Sequence, residues 1–279
     1  MKHLLSIDDL DPEQIEGLLD RAESFAEVSK RDIKKVPALR GRTVVTLFYE
    51  ASTRTSSSFE LAAKRLSADV VSVKASGSSV EKGESLKDTV ETLSAYDPAA
   101  IVIRHPQAGA AQMLSQWVDA AVVNAGDGMH QHPSQALLDL FALRQRIGSA
   151  EGRKIWIVGD VLHSRVARSN IQAFSMMGAE VTVAGPPTLM PRGIEASGCE
   201  VRHSLDGIED RWAGAWQERG TYAFDRSKPR EQVYSIDTPP PTVSGSLHVG
   251  HVFSYTHTDV VARFQRMRGA DVFYPMGWD

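Results

Sequence analysis

The chain of 279 residues has one cysteine, Cys199, so no disulfide can form within it, and a reducing compartment is the simplest expectation. It has no apolar run long enough to span a bilayer. Its first residues, MKHLLSIDDL, lack the apolar core of a secretory signal. The expected location is the cytoplasm, with no membrane partner. Neither sign of charge dominates: 31 Lys and Arg stand against 35 Asp and Glu, a net charge of −4 at pH 7. That balance argues against a chain that works mainly by non-specific attraction to nucleic acid or an anionic surface. Aromatic residues are scarce over most of the length. Residues 1–206 hold 9 of the 20, and residues 207–279 hold 11, so the two parts are read separately. Core-forming residues are in ordinary supply, at 42% hydrophobic and 24% charged, enough for two folded domains.

Residues 11–29 carry Ile15, Leu18, Leu19, Ala22, Phe25 and Ala26 at helical spacing and predict an amphipathic helix. Short β-branched runs then recur at 43–48, 69–73, 99–103 and 120–125, separated by helix-like stretches at 57–67, 86–96, 107–117 and 133–147. Strands alternating with helices predict an α/β fold built on a mostly parallel sheet, here over residues 1–148. GSAEGRK at 148–154 reads as a connection, and a second α/β domain begins at 149–205 with strand 154–160, helix 164–177 and strand 180–185. Near Leu205 the βα pattern gives way to a Trp-rich helix and then to KPREQVYSIDTPPPTVSGSLHVGH.

Basic and hydroxyl residues collect at predicted strand ends. In FYEASTRTSSSFELAAKRL (48–66), Ser57 and Glu60 have capping-box spacing, which places Ser52, Thr53, Arg54 and Thr55 just before a helix. Free N–H groups, hydroxyls and a guanidinium there make either a phosphate cradle or an ordinary polar cap. Lys82, in a charged loop, is either catalytic or one of a solvated run. Arg104 ends the apolar run IVIRHP, where parallel sheets bind ligands. His132 and Gln135 flank a helix start marked by Pro133. Asp127, His130 and His132 have the types of metal ligands, but no thiolate or second histidine pair supports a metal, so none is expected. Arg165 follows the strand near 158 and suits a carboxylate.

Together, STRT (52–55), KGESLKDT (82–89), RHPQAGAA (104–111), NAGDGMHQHPSQALLD (124–139) and GDVLHSR (159–165) resemble the aspartate carbamoyltransferase family, in order and spacing, over about residues 1–205. RHP followed by GAA, and HSR, are of the aspartate rather than the ornithine type. The resemblance implies transfer of a carbamoyl group from carbamoyl phosphate to L-aspartate, a step of pyrimidine biosynthesis, with no metal or organic cofactor. Ser52, Thr53, Arg54 and Thr55 are then expected to hold the phosphate. Thr55, Arg104 and His132 bind the carbamoyl oxygen, and Gln135 its NH₂ group. Arg165 binds an aspartate carboxylate, and Lys82 reaches a neighbouring subunit of a homotrimer.

The resemblance breaks in two places. Family members often carry a basic residue after STRT, where this chain has Ser56. After Leu205 nothing matches the family's remaining aspartate-binding strand, its Pro-containing loop or its terminal helix, so the aspartate domain is truncated and activity is expected to be impaired. Residues 206–279 resemble instead the N-terminal part of valyl-tRNA synthetase: LDGIEDRWAGAWQERGTYAFD (205–225), PPPTVSGSLHVGH (239–251) and YPMGWD (274–279). That implies a partial class I Rossmann-like segment, with His248 and His251 near ATP phosphates and tRNA as a partner only of a complete enzyme. The chain thus reads as a chimera joined near Ser204–Asp206. Uncovered sheet edges and apolar faces, with poor stability, are expected to follow.

Overall fold

The computed structural model describes residues 1–74, 83–205, 207–238 and 249–275. They pack as two compact units, Met1–Ser204 and Leu205–Asp279.

The first unit opens with α1 (Pro12–Ser29). Asp11 and Gln14 form a reciprocal capping box and Pro12 occupies the first turn, so the helix start is fixed by its own side chains. Four parallel strands follow: β1 (Thr43–Phe48), β2 (Asp69–Lys74), β3 (Ala100–His105) and β4 (Ala121–Asp127), in the order β2-β1-β3-β4. The helices between them are α2 (Thr53–Arg65), α3 (Leu86–Ser94) and α4 (Ala110–Ser115). The central strands are buried on both faces, which is why they read as unbroken apolar runs. The N-terminal segment covers the edge of β4: Leu4 N–H donates to the Val122 carbonyl, and Leu4 accepts from Asn124 N–H.

A long helix, α5 (Pro133–Ile147), leads to a second parallel sheet of β5 (Lys154–Val158), β6 (Glu180–Ala184) and β7 (Cys199–Arg202), with α6 (Arg165–Met176) between the first two. One apolar cluster runs from Ile15 and Leu19 of α1 through Leu140 of α5 to Ile171 and Phe174 of α6 and Val181 and Val183 of β6. The two sheets of this unit are therefore tied through the α5–α6 contact.

The second unit is small. Helix α7 (Ile208–Glu218) precedes β8 (Val233–Ser235), and α8 (Val249–Met267) connects it to β9 (Asp271–Phe273), which pairs parallel with β8. Among the described residues its core is Ile236, Ala262 and Val272, with Tyr274 against it. Arg263 of α8 lies over the rings of Trp216 and Tyr222 and donates to the Tyr222 hydroxyl at 2.8 Å. Much of α8 is bare: Val249 is 83% exposed, Phe253 65% and Met267 87%. No helix among the described residues is long and apolar enough to cross a membrane.

Two expectations are corrected. Helix α2 starts at Thr53, not near Ser57, so the Ser57–Glu60 pair lies inside the helix and caps nothing. The hydroxyls of Ser56 and Ser58 turn back onto the carbonyls of Ser52 and Thr55, at 2.7 and 2.9 Å, and so tolerate helical geometry. The glycine-containing stretch after Ala125 is still strand as far as Asp127.

Candidate active site

The strand order reverses between β1 and β3: β1–α2–β2 winds one way, and the chain returns past β1 to β3 and β4. The crevice outside the carboxyl ends of such neighbouring strands is where open α/β sheets bind ligands. The residues at this switch point are set by register. Phe48 pairs with Arg104, and Tyr49 N–H donates to the Arg104 carbonyl. The chain then turns into α2, whose N-cap residue Ser52 makes no side-chain cap. The N–H groups of Thr53, Arg54 and Thr55 therefore have no partner within the helix, and with the helix dipole they attract an anion.

A cleft of about 680 Å³ opens there, lined on the α2 side by Ser52, Arg54, Thr55 and Ser58, and on the other by Arg104, His132, Ser134, Gln135 and Arg165. The cleft thus gathers seven of the residues singled out in the sequence. Thr53 is the first residue of α2, and its side chain does not line the cleft. Lys82 and His248 lie outside the described residues. His251 is in α8 of the second unit, its ring stacked on Tyr255.

The two half-buried arginines share one carboxylate that the basic spacing does not announce. Glu50, at the end of β1, accepts from Arg165 Nη2 at 3.0 Å through Oε1. Its Oε2 lies 2.7 Å from Arg165 Nη2 and 3.1 Å from Arg104 Nε. Arg104 Nη1 also donates to the Ala125 carbonyl at 3.3 Å. Arg165 Nη1 is buried without a hydrogen-bond partner, and Arg104 Nε faces only Glu50 Oε2. Arg104 titrates below the ordinary arginine range, because of burial first and Arg165 second, with Glu50 opposing. The pair of guanidiniums packs over Gly126. A Cβ there would stand 3.2 Å from Arg104 Nη1 and from the Arg165 side chain, and φ is +116°.

His132 caps the start of α5 by position, ahead of Pro133, and its N–H donates to Ser169 Oγ at 2.8 Å. Its imidazole is held down to about 4, by burial first and then by Arg104 and Arg165, with Asp127 opposing. It is therefore neutral near pH 7. The Ser134 hydroxyl is 3.3 Å from its Nδ1. Asp127, weighed above as a metal ligand, is the last residue of β4, and its carboxylate ties down the loops beside it. It accepts from Gly109 N–H, Gln131 N–H and the Asn124 amide at 2.7 to 3.0 Å, and His130 Nδ1 lies 3.0 Å from it. No metal-binding group of three or more His, Cys, Asp or Glu occurs among the described residues.

Glu50, Ser58 and Ser134 escape the sequence reading. A carboxylate beside a basic loop has the wrong sign for an anion site, and only the need of two arginines for a counter-charge points to it.

Comparison with known proteins fits this geometry. Residues 2–145 match the family described as aspartate/ornithine carbamoyltransferase, carbamoyl-P binding domain. Residues 211–279 match the class I tRNA synthetases (I, L, M and V). The aspartate carbamoyltransferase catalytic subunit of Pelotomaculum thermopropionicum is 59% identical over 205 residues, covering 74% of this chain and 66% of that one. Among solved structures, the catalytic subunit of M. jannaschii aspartate transcarbamoylase is 36% identical, with 81% of each chain covered and a TM-score of 0.66. Aspartate transcarbamoylase from Trypanosoma cruzi in complex with aspartate and phosphate is 30% identical, covering 75% of this chain and 70% of that one, with a TM-score of 0.68. The chain spans about two thirds of the length of the curated relatives it matches.

Proposed function

The chain belongs to the aspartate and ornithine carbamoyltransferase family through its carbamoyl phosphate-binding domain, and on that premise we propose that its cleft binds carbamoyl phosphate and is built for carbamoyl transfer to L-aspartate. The observation that carries this is the cleft itself. An uncapped helix start faces two half-buried arginines that share one carboxylate. A dianion satisfies both walls.

In this reading the phosphate sits on the N–H groups of Thr53, Arg54 and Thr55, with the Ser52 and Thr55 hydroxyls and the Arg54 guanidinium around it. The carbamoyl oxygen points to Thr55, Arg104 and His132. A Ser134 hydroxyl donating to His132 Nδ1 leaves the ring proton on Nε2, so the neutral imidazole donates to that oxygen. Negative charge builds there as the aspartate amine attacks, and donors already in place stabilise it. Gln135 binds the carbamoyl NH₂, and Arg165 takes an aspartate carboxylate. Glu50 gives up part of its hold on the arginines as the anions enter. Catalysis is orientation and charge stabilisation, with phosphate as leaving group. Lys82 completes the site across an interface of a homotrimer.

Turnover is impaired in this chain. After Ser204 it passes into a separately packed unit that matches a different family, in place of further aspartate-binding elements. That unit carries part of a class I synthetase nucleotide fold of valine type, and the chain is a chimera. The parallel β8–α8–β9 arrangement supports this. ATP binding through His248 and His251 is the second reading, and it predicts an affinity for ATP that His251→Ala abolishes.

Phosphorus NMR of carbamoyl phosphate with the purified chain tests the main reading. A shifted resonance with little aspartate-dependent phosphate release is expected. An unshifted resonance rejects the site, and rapid release of phosphate with formation of carbamoyl aspartate rejects the impairment. Light scattering measures the trimer.

A further inference from the structure

Building on the carbamoyl phosphate reading of the cleft, we propose that Asp139, pinned by Asn170, positions the Gln135 amide and thereby sets the preference for a carbamoyl group over other acyl groups. Gln135 and Asp139 lie four residues apart on α5 and so meet on one face. Gln135 Nε2 donates to Asp139 Oδ1 at 2.9 Å. Asn170 Nδ2, from α6, donates to Asp139 Oδ2 at 2.8 Å.

A carboxylate offers only acceptors, whereas an amide has one donating and one accepting end. Both amides must therefore turn their NH₂ groups to Asp139. For Gln135 the consequence is functional. Its Nε2 is occupied, and Oε1 is the end left for the cleft that Gln135 lines. An acceptor at that point matches the NH₂ of a carbamoyl group. The methyl of an acetyl group in the same place leaves Oε1 unpaired, which costs binding. Asn170 holds the carboxylate from the opposite side, so the Gln135 amide meets a fixed partner rather than one free to rotate. Without Asp139 the amide is free to flip and offer its NH₂ to the ligand's NH₂, which is repulsive. Asp139 itself does not line the cleft, so it is a positioning residue and acts through Gln135.

Competition titrations on the intact chain test this, with carbamoyl phosphate, acetyl phosphate and inorganic phosphate as probes. The wild-type chain should prefer carbamoyl over acetyl phosphate by about tenfold or more, the worth of one good hydrogen bond. Asp139→Leu should reduce that ratio by roughly fivefold or more while inorganic phosphate affinity stays within about twofold, because α2 and the arginines hold the phosphate. Asn170→Ala, which keeps the carboxylate and removes its far partner, should lower the ratio less and provides the same readout at a smaller structural cost. In a Gln135→Leu background, Asp139→Leu should change the ratio no further.

Three results overturn the proposal: a wild-type ratio retained in Asp139→Leu, an effect of Asp139→Leu that adds to that of Gln135→Leu, or phosphate affinity falling in step with the ratio in both Asp139→Leu and Asn170→Ala. A wild-type chain that binds phosphate but shows no preference for the carbamoyl group defeats the function proposed above together with this inference. A preference that survives in the variants defeats this inference alone.

Discussion

Glu50 holds Arg104 and Arg165 together at rest, and an anionic ligand has to compete with it. Both arginine side chains are half-buried, 14% and 16% exposed, so removing their shared counter-charge is felt in two opposite ways. Glu50→Gln should lower thermal stability by about 1–3 kcal/mol, because two like charges lose their common partner in a partly buried place. The same change should raise inorganic phosphate affinity roughly fivefold at low salt, since about 1 kcal/mol of competition disappears. Titration calorimetry and melting on the same sample check both signs, and a fall in phosphate affinity would count against the electrostatic account. His132 makes a pH prediction. Its folded value of about 4 lies below the ordinary 6.5, so the unfolded chain binds the proton more readily. This contribution, up to about 3 kcal/mol, is complete above pH 6.5 and is lost as pH falls from 6.5 toward 4. His132→Asn should flatten that acid limb in melts of the first unit. Arg54, Arg104, His132, Gln135 and Arg165, which the cleft brings together, stood out in the sequence because each lies at or near a readable strand end or helix start. Glu50 and Asp139 did not, because each acts through another side chain and has no pattern of its own.

At the level of elements, β1, β3 and β4 were readable because parallel strands covered on both faces must be continuous apolar runs. Helix starts were harder. The Ser57–Glu60 spacing pointed to a start inside α2, whereas the helix begins at Thr53, with the Ser56 hydroxyl turned back onto the Ser52 carbonyl. That shift matters for the chemistry, because it places the unpaired N–H groups on Thr53 to Thr55 themselves. The end of β4 matters equally. Gly126 lets the backbone pass beneath two guanidiniums in a conformation that disfavours other residues. Gly126→Ala should push Arg104 and Arg165 out of place and cost about 1–3 kcal/mol of stability. It should also weaken phosphate binding by roughly tenfold, measured by titration, as the arginines move off the cleft wall. Phosphate affinity at the wild-type level would show that the arginines reach the anion without this close approach.

On the scale of the whole molecule, the rise in aromatic residues after residue 206 was the visible trace of a change in architecture, and the packing divides at Ser204–Leu205. Trp216, Tyr222 and Arg263 show what those aromatics do: they knit α7 to α8 where few aliphatic side chains are buried. The sequence led to an expectation of uncovered apolar faces, but which residues of α8 stay bare depends on what packs against the helix. A core this small protects its hydrogen bonds weakly. Backbone amides of α8 should therefore exchange with solvent at least about tenfold faster than those of β1 and β3. Equal protection in the two units would show that the second is as well built as the first. The first unit's cleft is tested most directly by calorimetric titration of carbamoyl phosphate into the intact wild-type chain and into Arg54→Ala. Arg54 is exposed at the first turn of α2 and supports no core contact, so its loss should leave the fold intact. Saturable one-site binding by the wild type, weakened about tenfold or more in Arg54→Ala, is the predicted result. No binding by the wild type, or equal binding by both chains, would contradict it.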